Sequence, residues 1–529
     1  MNATMDSTGR SNRIAGIYLF QFLALALFAW GYWHNLNTDA VAYLQIAADY
    51  STGKFGLAIS DYWSPLFSWL LVPFLKAGWA PLAAARLVMI ISAIVFLAGC
   101  HRFFAVVELA PAMRRAGLWI AALLSLPWSI ENITPDLLSA GLIAFAFAET
   151  IRSRAGLNAW LAGLLWGAAY LGKSVALPLG ILTVAGVAAW SWQKESLKRI
   201  VAGAALAGLG IFLVAAPWIA VISVHDGHLA VAKSAHLNHA LVGPEISRPR
   251  FLLDQGFKAP PPGRLTIWED PSLPYPDWSP FSSGNNAVHQ LRVLLGNVPV
   301  ALIMLTGISL AFPLLLLRAL VSPLSSKSIP GFHRALLPVW ILAALFLPNY
   351  LLITEQRYFY GVTPMLLVAT MGMLSASRVA RVRAQAALIL TILFLVPTVA
   401  REAWHLSAIR RAGEDAHLLA ERISGVRPSV IGPIAGSGRI SGGRPGLYTA
   451  FLLQQPWYGD DPAATAATFE HSGAKLVIVD RHSAMAQQLA AYPADFRNLD
   501  AQLFPAGAGD FPLQVFENLQ SGAGRVTSP

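Results

Sequence analysis

Four acidic residues in this sequence stand beside long apolar runs. Asp39 follows the first run in "NLNTDAVAYLQ", Asp136 lies in "ENITPDLL", Asp61 precedes a short apolar stretch, and Glu355 opens "EQRYFY". An acid at mid-membrane costs roughly 2.5–3.5 kcal/mol on insertion scales, and less near the lipid headgroups. A carboxylate within reach of a hydroxyl can act as a general base. A carboxylate at the start of a helix can instead be a cap, and Asp136 suits that role as well.

Two cations accompany these acids. Lys173 stands in "GAAYLGKS" and Arg357 in "EQRYFY". A guanidinium is a planar fork suited to phosphate oxygens, and a lysine at an interface can snorkel or meet a phosphate headgroup. If the acids and the cations lie on one side of a membrane, they predict a polar site that faces outward.

The composition predicts the elements that must position these residues. The chain has 529 residues, of which 55% are hydrophobic and only 12% charged, whereas soluble domains are near a quarter charged. Runs long enough to cross about 30 Å of hydrocarbon recur from Ile14 to Ala400. We therefore expect an all-α polytopic membrane protein. The first run lacks a small-residue cleavage site after it and is expected to be an uncleaved anchor, and the single Cys100 excludes an intramolecular disulfide.

The positions of the basic residues predict the topology. The net charge is +10, but the lysines and arginines cluster beside apolar runs at alternate ends, which is the positive-inside pattern and not a nucleic-acid surface. With the N-terminus inside, this pattern predicts eleven spans, near residues 14–33, 82–104, 116–131, 137–151, 157–172, 174–192, 200–223, 293–318, 335–352, 359–376 and 384–400.

One apolar stretch is too short to be a span. Pro65 to Gly78, "PLFSWLLVPFLKAG", is better interpreted as an interfacial or re-entrant helix. The topology then leaves two outer loops, 34–81 and 224–292, and an outer C-terminal region. We expect a transmembrane domain at 1–401, in the inner membrane of the cell. Residues 402–529 are expected to form an extracytoplasmic domain.

The C-terminal region has a different pattern. Three segments, "PSVIGPIAG", "KLVIVDR" and "FPLQVFE", are typical of short strands, and "GLYTAFLLQQ", "PAATAATFEHSG" and "SAMAQQLAAY" are typical of helices between them. A small α/β domain outside the membrane is expected.

Two further motifs suggest chemistry that their surroundings do not favour. "GAAYLGKS", Gly167 to Ser174, matches the phosphate-loop pattern, but it lies inside an apolar run with no strand before it and with Lys173 at the outer face, so ATP binding is not expected. Two H-x-x-H pairs open the second outer loop, and their spacing suits metal ligands on one face of a helix. Solvated or capping histidines are the alternative for these residues, which are His225, His228, His236 and His239.

The order of these parts resembles the GT-C membrane glycosyltransferases, which include protein O-mannosyltransferases and the aminoarabinose transferases of lipid A. The matching segments are "NTDAVAYLQIA", "WSPLFSWLL", "TPD", "AYLGK" and "EQRYFYGVTP". The resemblance implies a hexosyl- or pentosyltransferase that uses a polyprenyl-phosphate sugar donor and a lipid, glycan or protein acceptor. It also implies an inverting single displacement at the periplasmic face.

The same resemblance implies roles for individual residues. Asp39 matches the acid that takes the acceptor's proton, Asp136 matches the second acid, and Lys173 and Arg357 are candidates for the donor phosphate. Aminoarabinose transferases carry E-K-P-P where this chain has "YWSP". Lys54 or Asp61, with Glu355 as a further acid, would have to replace the missing groups, and a divalent metal stays open.

A lipid-linked-sugar transporter or flippase is the rival interpretation, and a structural or receptor-like membrane protein is a third. Transporters often contain internal repeats and broken helices near the membrane midplane. In this sequence the acids lie at one predicted face, which favours the transferase.

Overall fold

A computed structural model describes most of the chain. The described residues are 2–153, 158–192, 195–246, 252–254, 256–272, 276–312, 355–374, 380–425, 430–440 and 442–521.

The described residues up to Ser424 are mainly helical, as the sequence predicts. The described helices of this part are α1 (Asn2–Gly31), α2 (Thr38–Ser51), α3 (Phe55–Ala58), α4 (Leu66–Lys76), α5 (Pro81–Val106), α6 (Pro111–Glu131), α7 (Asp136–Ser153), α8 (Asn158–Gly172), α9 (Ala176–Ser191), α10 (Leu197–Asp226), α11 (Lys233–Ala240), α12 (Gly284–Ile308), α13 (Thr363–Leu374) and α14 (Ala380–Ser424).

Ten of these helices coincide with predicted spans, and the span predicted at 335–352 lies outside the described residues. Among the described helices, five are long and apolar enough to cross a membrane by length and composition, with bounds Ile14–Gly31, Pro81–Val106, Leu197–Asp226, Gly284–Ile308 and Ala384–Ser424. The expected short interfacial helix is α4, with 11 residues. Helix α14 runs without a break through residue 401 to Ser424.

Small residues let the central helices approach closely. A Cβ added to Gly99 of α5 would collide with the carbonyl of Gly141 in α7, and one added to Gly163 of α8 would collide with the carbonyl of Ala207 in α10. Close backbone approach at small residues is how helices pack in lipid, where burial of apolar side chains gives no drive for association. Helices α5, α7, α8 and α10 thus form the closely packed centre of the bundle.

Two interhelical connections at one end of the bundle are fastened together. Asn37, just before α2, accepts a hydrogen bond from the N–H of Ile133, just before α7, at 2.9 Å. Asn35 donates to the carbonyl of Ile130 at 2.8 Å. Arg86 of α5, which is buried, donates to three carbonyls of the α1–α2 connection. The N-termini of α2 and α7 are therefore held side by side.

The C-terminal region is the expected α/β domain. Its elements are β1 (Ile434–Gly436), α15 (Pro445–Leu453), β2 (Trp457–Asp460), α16 (Ala466–Glu470), β3 (Leu476–Asp480), α17 (Ala484–Ala490), β4 (Phe496–Asn498), α18 (Asp500–Leu503) and β5 (Leu513–Asn518). The sheet order is β2-β1-β3-β5-β4, with β1 parallel to β2 and β3, and β5 antiparallel to β3 and β4.

This domain packs directly on the end of the helical part where the N-termini of α2 and α7 lie. Leu447 and Tyr448 of α15 belong to the same apolar cluster as Ala40 and Leu44 of α2 and Phe67 of α4. The shared core makes α2 a layer between the bundle and the sheet domain.

Candidate active site

Asp39 and Asp136 both lie at the start of a helix. Asp39 is in the first turn of α2 and Asp136 is the first residue of α7. A helix N-terminus favours a carboxylate, because its free N–H groups carry a partial positive charge. Both side chains nevertheless bind other side chains, so capping does not account for their contacts. The fastened connections bring these two acids to one place.

Arg357 lies between the two acids. It stands in a short 3₁₀ turn, Gln356–Phe359, and its Nη1 is 2.5 Å from Asp39 Oδ2 and 3.8 Å from Asp136 Oδ2. Its Nε donates to Glu355 Oε2 at 2.5 Å. The arginine side chain is only 14% exposed, so its charge is balanced by these carboxylates and not by water.

Lys173 completes the row of alternating charges. It follows the last residue of α8, and its Nζ forms an ion pair with Asp136 Oδ1. The same ammonium lies 4.5 Å from the centre of the Tyr358 ring, a cation–π distance. The row Asp39–Arg357–Asp136–Lys173, here called the charge row, therefore joins four separate parts of the chain.

Trp268 is a site residue that sequence reasoning missed. Its indole Nε1 donates to Asp39 Oδ1 at 3.0 Å, across 229 residues of sequence. The only local signal is the pattern "TIWE", Thr266 to Glu269, which is a capping box and does not indicate where the turn packs.

Aromatic rings pack around the Trp268 indole that binds Asp39. The ring of Trp63 lies 4.6 Å from that of Tyr62 and 4.9 Å from that of Tyr43, and Tyr62 lies 5.4 Å from Trp268. Burial and then the nearby Asp39 carboxylate raise the pKa of Tyr62, so its hydroxyl keeps its proton.

Asp61 and Lys54 belong to other contacts. Asp61 Oδ1 lies 3.5 Å from Lys233 Nζ. Burial, followed by a hydrogen bond with Asp226, raises the pKa of Asp61 to about 6. Lys54 is exposed before α3 and its N–H donates to the carbonyl of Asp49 at 2.9 Å. Their predicted role as replacements for the E-K-P-P groups stays a hypothesis.

The geometry at the charge row does not fit a divalent cation between the two acids. Each of their carboxylate oxygens faces Trp268, Arg357 or Lys173. The four histidines do not converge either. His225 and His228 are exposed, while His236 pairs with Asp277 at 2.9 Å and His239 shares a hydrogen bond with Gln290 at 2.8 Å. The part of the chain that the structure describes contains no group of three or more metal-binding side chains.

The phosphate-loop pattern occurs in a helical context. Gly167 to Gly172 belong to α8, and a Cβ on Gly167 would press against Val214 of α10. A phosphate loop needs a strand before it and free backbone N–H groups, whereas here the glycine serves helix packing and Lys173 serves the charge row.

Comparison with known proteins shows the fold. No family model and no curated protein matches the chain. Among solved structures, the oligosaccharyltransferase of Archaeoglobus fulgidus in its apo form is similar with a TM-score of 0.52 at 11% identity, over 91% of this chain and 71% of that one.

Two further structures are similar at lower scores. ArnT from Cupriavidus metallidurans, bound to undecaprenyl phosphate, has a TM-score of 0.44 at 17% identity and covers 97% of this chain and 99% of its own. The mycobacterial arabinofuranosyltransferase AftD has a TM-score of 0.44 at 13% identity, over 94% of this chain and 40% of that one. The likeness to the oligosaccharyltransferase, at a TM-score of 0.52, confirms the expected architecture: a GT-C fold with a small C-terminal α/β domain.

Proposed function

We propose that the protein is a glycosyltransferase that moves a sugar from a polyprenyl-phosphate donor to an acceptor hydroxyl on the outer face of the membrane. The charge row is the observation that carries this proposal. Its carboxylate Asp39 pairs with Arg357, and the second cation, Lys173, is linked to this pair through Asp136. A base and a phosphate-binding pair are what the transfer requires.

The proposed reaction is a single displacement. The acceptor hydroxyl gives its proton to Asp39 while its oxygen attacks the anomeric carbon. The bond from that carbon to the phosphate oxygen breaks, and the electron pair leaves with polyprenyl phosphate. Arg357 and Lys173 stabilise the charge that develops on the leaving phosphate. Attack opposite to the leaving group inverts the anomeric centre.

The position of the charges supports an outward-facing site in the inner membrane. The charge row lies at the bundle end on which the C-terminal domain packs. The opposite ends of α5 and α7 carry Arg102 and Arg152, both paired with Glu149. Basic residues favour the cytoplasmic side, so the charge row belongs to the other side.

A transfer assay tests the proposal. The purified protein in lipid nanodiscs would be given polyprenyl-phosphate sugars with a labelled sugar, together with membrane extracts as acceptors. We expect labelled product and an equal amount of released polyprenyl phosphate, both lost in Asp39→Asn. Transbilayer movement of the labelled donor in proteoliposomes, without product, would contradict the proposal and support the flippase.

A further inference from the structure

Trp268 reaches Asp39 from the connection between α11 and α12. Its indole occupies one carboxylate oxygen at 3.0 Å, while Arg357 occupies the other at 2.5 Å. We propose that Trp268 is a positioning residue for Asp39 and that the C-terminal domain holds it there. This inference rests on the proposed role of Asp39 as the base.

The turn that carries Trp268 is fixed by buried hydrogen bonds. The Glu269 carboxylate accepts from the N–H groups of Leu265 and Thr266, both at 2.8 Å, and Thr266 caps the same turn. Thr266 and Glu269 have no exposed surface. The Trp63 indole donates to the Trp268 carbonyl at 2.8 Å. The backbone on each side of the indole is therefore held in place.

Residues 256–272, here called the tether segment, are bound to the C-terminal domain. The Trp457 N–H donates to the Leu265 carbonyl at 2.7 Å, and the Lys258 N–H donates to the Tyr458 carbonyl at 2.7 Å. Both partners belong to β2, the edge strand of the sheet. The tether segment thus satisfies backbone groups that an edge strand leaves open.

A buried ion pair reinforces this attachment. Arg444, at the start of α15, is 1% exposed and pairs with Asp460 of β2 and, at 2.8 Å, with Asp254. Asp254 stands just before the tether segment. Because an uncompensated buried charge is strongly unfavourable, the arginine resists separation of the domain from this connection.

The arrangement gives the C-terminal domain a function in the reaction. It holds the tether segment, the tether segment holds the Trp268 turn, and the indole orients the Asp39 carboxylate toward the acceptor. A hydrogen bond to a charged group changes an equilibrium or rate by about 10- to 100-fold. We therefore expect the contribution of Trp268 to appear in kcat and not in donor binding.

The first test compares two tryptophans in the full-length protein. Trp268→Phe keeps the apolar ring and removes the donor to Asp39. Trp278→Phe is the matched control, because its indole donates to the His239 carbonyl at 2.8 Å in the same connection. We expect kcat to fall about 10- to 100-fold in Trp268→Phe, with the donor KM unchanged and the acidic limb of the rate profile moved to higher pH. Trp278→Phe should match the wild type.

The second test separates the tether from the tryptophan. A Cβ on Gly459 would lie 2.8 Å from the Gly256 carbonyl, on a backbone with φ of +116°, whereas Gly507, at +92°, has nothing within 4 Å. Both glycines are in the C-terminal domain, and both have a positive φ that is unfavourable for a residue with a side chain. We expect Gly459→Ala to lower kcat as Trp268→Phe does, and Gly507→Ala to leave it unchanged.

The outcomes distinguish the inference from the proposed function. If the wild type makes no product, the proposed function is wrong, and the inference that rests on it is wrong as well. If the wild type transfers sugar and Trp268→Phe has the kcat of Trp278→Phe, the positioning role is wrong. If Trp268→Phe is impaired and Gly459→Ala behaves as Gly507→Ala does, the C-terminal domain does not hold the turn.

Discussion

Asp39 has both of its carboxylate oxygens engaged, by Trp268 and Arg357. Replacement by Asn leaves one carbonyl oxygen for two donors and removes the proposed proton acceptor. Loss of a general base typically lowers a rate by about 10²- to 10⁴-fold. We expect Asp39→Asn to insert in the membrane and bind donor, with single-turnover transfer reduced by about that factor.

The control for this variant is Asp49→Asn, which changes a buried carboxyl on the same helix outside the charge row. Both proteins would be compared in donor binding, thermal unfolding and single-turnover rate. A near wild-type rate for Asp39→Asn would show that the acid is only structural.

Lys173 has two neighbours, the Asp136 carboxylate and the Tyr358 ring. Removing its ammonium takes away one of the two cations of the charge row that we propose bind the donor phosphate. We expect Lys173→Ala to weaken donor binding about 10- to 100-fold, measured as the donor concentration that gives half-maximal single turnover. Ser174→Ala, one residue along, is the control and should bind donor as the wild type does. Equal donor affinity in both variants would contradict the phosphate role.

At the scale of elements, sequence patterns were sufficient where the environment is uniform. The apolar runs predict their helices because a bilayer demands one long stretch for each span. The short apolar stretch of α4, with 11 residues, predicts a helix that does not span the bilayer for the same reason. Strands β2 and β4 were missed, since "WYGD" and "FRN" are short and owe their strand conformation to their neighbours in the sheet.

The site could be predicted only in part, for a similar reason. Asp39, Asp136, Lys173 and Arg357 flank predicted helices, so topology alone puts them on one side. Trp268 lies in a long connection whose path depends on β2 and α2, and no local pattern encodes that path.

The Trp268 turn has a stability that depends on pH. Burial raises the pKa of Glu269 to about 7, from 4.5 in water, and backbone hydrogen bonds oppose this only in part. Because the folded protein holds this proton more tightly, the contribution of Glu269 to stability is largest below pH 4.5 and is lost as the pH rises through 7.

Glu269→Gln keeps an acceptor oxygen for the two N–H groups and does not titrate. We expect Glu269→Gln to be more stable than the wild type by a margin that grows from pH 5 to pH 8 and reaches at most about 3 kcal/mol in free energy of unfolding. The difference between their thermal midpoints in detergent should grow over the same pH range. Glu421→Gln, at an exposed position of α14, is the control. A constant difference between Glu269→Gln and the wild type across this pH range would contradict the shift.

At the scale of the whole molecule, the topology makes a labelling prediction. Cysteines at Ser282 and Ala501, both exposed, should react with a membrane-impermeant thiol reagent in spheroplasts, and one at Lys198 should react only after permeabilisation. The native Cys100 is fully buried and serves as an unreactive background. If Lys198→Cys reacts in intact spheroplasts and the other two cysteines are protected, the true topology is the opposite of the predicted one.

The long sequence distance between Asp39 and Arg357 has a consequence during synthesis. Lys173 leaves the ribosome 37 residues after Asp136, so that ion pair can form early. Arg357 follows Asp39 by 318 residues, an interval of roughly 15–60 s at about 5–20 residues per second. Throughout that interval the nascent first loop holds its acid without its cation. Asp39, the proposed proton acceptor, is thus among the last residues of the charge row to gain its partner, and a prematurely terminated chain would contain this acid without Arg357.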